Sequence, residues 1–107
     1  MDAGFDMERV ILVLKGHPTS IYIPNSTDTY TCPFGNNGMG TAGSGDVLTG
    51  IILGLLAQGY TPKDAAILGV SLHAISGDIA ASELGEHSLI ASDLITYLPK
   101  AFKQITK

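Results

Sequence analysis

The sequence predicts an α/β unit that is part of a larger one. Three observations point there. Residues 10–14 are a continuous apolar, largely β-branched run, and two alternating segments follow it. A glycine-dense stretch then opens a long apolar helix. Finally, charged residues make up only 15% of the chain, well below the roughly 25% usual in soluble domains. A chain of 107 residues supports one domain with a genuine core. Residues 1–107 are therefore expected to form a single partial domain, because three strands, one of them buried on both faces, do not complete an α/β sheet. So charge-poor a surface is expected to be covered, by a further segment or by sister subunits, which makes a homo-oligomer the expectation.

The elements follow in order. Residues 10–14 read as a central strand ended by Lys15 and Gly16. Residues 20–23 and 29–32 alternate and pair as a hairpin turning through residues 25–28. Residues 35–45 carry five glycines in eleven positions, a density that no regular element tolerates, and read as a loop. A helix then runs from Asp46 to Gln58 and stops at Gly59, with Leu48, Ile51, Ile52, Leu55 and Leu56 at helical spacing. Its Gly50 and Gly54, one turn apart, are expected at a close packing contact. Thr61 and Pro62 supply a cap and a first helical residue for a second helix reaching about Leu84, before Gly85. Ser92 and Asp93 start a last helix through Phe102, with Lys100, Lys103 and Lys107 toward the negative end of its dipole.

Composition excludes several classes. Six Lys/Arg against ten Asp/Glu give a net charge of −4, and the single arginine, Arg9, makes no basic stripe, so no nucleic acid is expected as a partner. The longest nearly apolar run, residues 47–57, falls short of the ~18 residues that a membrane span needs. Asp2, Asp6 and Glu8 stand where a signal peptide would be basic, so a cytoplasmic protein without a membrane partner is expected. One cysteine, Cys32, builds no disulfide and reads as a small buried hydrophobe. No Cys/His cluster has metal-binding spacing.

Chemistry concentrates at residues 43–46. A helix start leaves backbone N–H groups unpaired and carries roughly +0.5 of dipole charge. Gly43, Ser44 and Gly45 let an anion approach that backbone, forming an anion hole suited to phosphate. Asp46, at the same end, would face a second substrate and accept a proton from an attacking hydroxyl. The same residues also read as an ordinary N-cap, although a cap does not require the permissive stretch before it. No Walker A lysine is present. Lys15, Gly16, His17, Pro18 and Thr19 follow the first strand, where ligands of open sheets gather, and equally read as a strand-ending turn. His73 reads as a core or pocket-wall residue and Met39 as a packing anchor; His17 and His87 fall in loops.

Taken together, residues 14–19 (LKGHPT) and 38–50 (GMGTAGSGDVLTG) resemble the C-terminal part of the ribokinase-like superfamily, a three-layer α/β/α fold. More narrowly, they resemble its ADP/ATP-dependent NAD(P)H-hydrate dehydratases. Residues 55–59, 69–73 with Gly77 and Asp78, and 83–94 continue the match. Gly40 and Ala42 stand where the family has Ala and Gly, and Asn37 where proline is common. The resemblance implies ADP- or ATP-driven dehydration of NADHX and NADPHX, with Mg²⁺ accompanying the nucleotide. Lys15 to Thr19 and Gly45 would contact the nucleotide, Gly43 and Ser44 would complete the anion hole, and Asp46 would face the hydrated nicotinamide as the base. The alternatives are a small-molecule kinase of the same superfamily and an inactive fragment.

Overall fold

The computed structural model describes residues 11–16, 18–24 and 29–106. Three short strands, β1 (Leu12–Leu14), β2 (Ser20–Tyr22) and β3 (Thr29–Thr31), form an antiparallel meander in that order. Val13 pairs with Ile21, and Ile21 with Tyr30. That register puts the three on one face, where Ile21 is fully buried against Leu48, Ala66, Val70 and Ala74. The tyrosine adds a hydrogen bond to the helix beneath, with its hydroxyl 3.2 Å from Ser71 Oγ.

The other face differs from expectation. Leu12 and Leu14 are 37% and 49% exposed, and among the described residues β2 rather than β1 is central. Strand period two sends alternate side chains outward, and no second layer covers that face among the described residues. Val10 and the turn at 25–28 lie outside them.

Helix α1 spans Ser44–Ala57, α2 Pro62–Leu84, α3 Ala91–Thr96 and α4 Leu98–Thr106. The Thr61 hydroxyl caps α2 by accepting the Asp64 N–H at 3.2 Å. Gly59 and Gly85 take positive φ just beyond α1 and α2, as stop residues do. Helix α2 is the spine: Ala65, Leu72 and Ile75 pack with Leu55 and Ala101, while Ala80 packs with Leu89 and Leu94. By length and composition α2 could cross a membrane, which the search for apolar runs did not anticipate, yet 67% of its apolar window is buried inside the protein.

Three helix expectations need correction. The close α1–α2 contact is made by Gly69, where an added Cβ would lie 2.7 Å from Ile52 Cγ1. Gly50 and Gly54 instead have nothing within 4 Å of such a Cβ and line an open groove. Sequence cannot tell a small residue under a neighbour from one under a void. Second, α1 begins at Ser44, two residues early, after Gly43 at φ 86°. Third, the last helix is broken at Tyr97, because Pro99 has no N–H to continue the ladder and fits only a first turn. The Tyr97 N–H donates back to the Asp93 carbonyl, and its own carbonyl accepts from Lys100 and Ala101. Lys100 therefore sits at the start of α4 rather than near its negative end, and pairs with Glu83 at 3.2 Å. Lys107 lies outside the described residues.

Candidate functional site

The glycine loop is irregular except for one 3-10 turn, Asn37–Gly40, and α2 holds it at three levels. At its start the Asp78 carboxylate accepts the Gly35 N–H (2.9 Å) and an Asn36 side-chain N–H (3.0 Å). Asn36 also donates to the Gly77 carbonyl and accepts the Gly38 N–H. In the middle, Met39 is buried against Gly77, where a Cβ would lie 2.7 Å from the Met39 methyl carbon. At its end, His73 Nε2 lies 3.0 Å from the Ser44 carbonyl oxygen and 3.2 Å from Ser44 Oγ. Desolvation by burial lowers the His73 pKa to about 4; the Ser44 carbonyl opposes this and the Lys15 charge adds to it.

Lys15 donates to the Met39 carbonyl at 3.3 Å, tying the end of β1 to the 3-10 turn. Thr19 closes the intervening turn: its hydroxyl donates to the Gly16 carbonyl at 3.0 Å and accepts the Gly16 N–H at 3.3 Å. The strand-ending turn of one reading is thus found. Its Lys15, Gly16 and Thr19 wall a pocket of about 280 Å³ together with Asn36, Gly40 and His73. Pro18 is exposed and outside that lining; His17 lies outside the described residues.

The first turn of α1 connects to this pocket through His73, which lines it and contacts Ser44. Gly43 provides no side-chain cap, so the ordinary N-cap reading does not describe this helix. The Ser44 N–H donates to Thr41 and the Val47 N–H to Gly43, leaving the Gly43, Gly45 and Asp46 N–H groups without a partner among the described residues. Ser44 is fully buried, with its hydroxyl turned to His73, whereas a Cβ on Gly45 would meet nothing within 4 Å. Of residues 43–46, Ser44 alone has its N–H engaged among the described residues. The Asp46 carboxylate is exposed and opens a separate groove of about 550 Å³ that runs along Gly50 and Gly54 to Ile95 and Phe102. Among the described residues no group of three His, Cys, Asp or Glu could hold a metal ion. Cys32 is buried as expected, and burial raises its thiol pKa.

Sequence reasoning missed Asn36 and did not give Asp78 its role as a clamp. The available signal was Gly77 inside a long helix, a costly residue without a packing reason.

Fold and loop define an α/β class in which a glycine-rich loop opens a core helix beneath a sheet. Within that class, the chain belongs to the NAD(P)H-hydrate dehydratase family, whose model matches residues 4–100. It is 47% identical over 97 residues to the bifunctional NAD(P)H-hydrate repair enzyme Nnr of Moorella thermoacetica, covering 91% of this chain and 18% of that protein. With the ADP-dependent (S)-NAD(P)H-hydrate dehydratase of Bacillus subtilis it shares 36% over 96 residues, 90% of this chain and 34% of the other. The crystal structure of the Bacillus subtilis ADP/ATP-dependent enzyme, co-crystallised with ATP/Mg²⁺ and soaked with CoA, superposes with a TM-score of 0.83 at 36% identity over 90% of this chain and 35% of that one. The expected fold is thus found, and the chain spans between a fifth and about a third of the relatives it matches.

Proposed function

We propose that the chain is the C-terminal part of a ribokinase-like domain and supplies the anion hole and the base for ADP- or ATP-driven dehydration of NADHX and NADPHX. The observation that carries this reading is the first turn of α1, where the Gly43, Gly45 and Asp46 N–H groups have no partner among the described residues and Gly45 bears no side chain. Helix starts of this kind favour a terminal phosphate. Lys15, Gly16, His17, Pro18 and Thr19 bind the nucleotide, with Lys15, Gly16 and Thr19 walling the pocket and Lys15 acting as a point charge. Gly43 and Ser44 hold the turn in shape, and Gly45 meets the phosphate end.

The Asp46 carboxylate takes the proton of the ring hydroxyl as that oxygen attacks the terminal phosphorus. AMP leaves from ADP, or ADP from ATP. The C–O bond then breaks, inorganic phosphate departs, and loss of a ring proton restores the double bond. Mg²⁺ neutralises phosphate charge when bound; a site with the single carboxylate Asp46 fits a cation carried mainly by phosphates and water. The protein is homo-oligomeric on this reading, its low share of charged residues being the support.

The test is recovery of NADH absorbance from NADHX with ADP or ATP, using the chain and a chimera in which it replaces the matching third of the Bacillus subtilis enzyme. NADH and inorganic phosphate are expected from the chimera. A stable phosphorylated product without NADH would make this a kinase, and loss of all turnover in a folded, nucleotide-binding chimera would remove the proposed roles.

A further inference from the structure

His73 is 29 residues from Ser44 in sequence and 4% exposed, yet its Nε2 reaches both the carbonyl and the hydroxyl of that residue. A carbonyl can only accept, so the 3.0 Å contact puts a proton on Nε2. The Ser44 carbonyl and the Gly45 N–H belong to one peptide unit, which is planar, and they point in opposite directions. Whatever fixes that carbonyl therefore also fixes that N–H. On the opposite edge of that peptide unit the Gly45 N–H has no partner among the described residues, and a Cβ built on Gly45 would meet nothing within 4 Å. A hydrogen bond received by the carbonyl also polarises the amide and strengthens its N–H as a donor.

We propose that His73 is a positioning residue: by gripping the Ser44 carbonyl from α2, it aims the Gly45 N–H at the ligand's terminal phosphate. The proposal rests on the phosphate-binding reading above and adds the group that orients the donor. The imidazole does not touch the ligand phosphate; it acts across one peptide plane. The plane belongs to the first turn of α1, and His73 adds to it a side-chain contact from α2.

The experiment uses the ¹⁵N-labelled full chain, with His73→Leu, which keeps bulk but removes the donor, and His73→Gln, which restores one. In the wild type, ring nitrogen shifts should show the proton on Nε2. The Gly45 amide resonance should move in His73→Leu and return toward wild type in His73→Gln. ADP affinity should fall about three- to tenfold in His73→Leu, the worth of one hydrogen bond, and recover in His73→Gln. A bare Nε2 in the wild type would overturn the proposal without any variant. So would an unmoved Gly45 resonance, or unchanged ADP affinity, in a folded His73→Leu. A wild type whose Gly45 resonance ignores ADP would instead remove the phosphate-binding reading and with it the aim assigned to His73.

Discussion

Acid should weaken this fold through one buried histidine, by an amount that can be worked out. In the folded chain the His73 pKa lies near 4, chiefly because burial disfavours its charged form, against 6.5 for an ordinary histidine. Between those values the unfolded chain binds a proton that the folded chain does not. Stability therefore rises with pH across that interval: His73 imposes no penalty well above pH 6.5, and its penalty grows as pH falls toward 4. The full gap corresponds to roughly 3 kcal/mol, most of it already present at pH 4.5. That is a large fraction of the ~5–15 kcal/mol by which domains are usually stable. Urea unfolding at pH 7.5 and 4.5, for the wild type and for His73→Gln, isolates this contribution, since glutamine does not titrate. The wild type should lose about 2–3 kcal/mol more than the variant on acidification. Parallel losses in the two proteins, or a His73 ring that titrates near 6.5 by NMR, would refute the reasoning.

Four other outcomes are expected. Asp46→Asn in the chimera should abolish NADH recovery while nucleotide affinity stays within several-fold; retained turnover would take the carboxylate out of the mechanism. Lys15→Ala should weaken ADP binding, measured by calorimetry, because it removes the cation facing the pocket, and an unchanged dissociation constant would leave Lys15 only its bond to the Met39 carbonyl. Gly77→Ala should displace Met39 and cost about 1–3 kcal/mol, read by thermal melting, whereas Gly54→Ala, which has open space, should cost nothing and add helix propensity. The 107-residue chain should self-associate in sedimentation, because it exposes large apolar side chains, Leu53 at 60% and also Leu56, Ile95 and Phe102; a compact monomer would contradict this.

What could be read from sequence were the features set by local chemistry. Alternation at residues 20–23 and 29–32 gave the hairpin, and Thr61, Pro62 and Gly85 bracketed α2 almost to the residue. The glycine loop and its candidate residues were visible for the same reason, since glycine density reports backbone permissiveness directly. What escaped depends on contacts between distant segments. Ser44 reads as a cap until His73, a full helix away, draws it inward. Asp78 looks like an ordinary helical carboxylate until the Gly35 N–H lands on it. Apolar character alone does not say how far Leu12 and Leu14 are covered, and among the described residues they stay partly exposed.

The pocket walled by Lys15 and the groove opened by Asp46 share no lining residue, although the pocket's His73 contacts Ser44 in the same turn of α1 that carries Asp46. On the proposed chemistry, each reactant then has its own doorway. Neither must enter before the other, and neither product blocks the other's exit. Kinetically, that layout calls for random-order addition through a ternary complex, with initial-rate lines that intersect instead of running parallel.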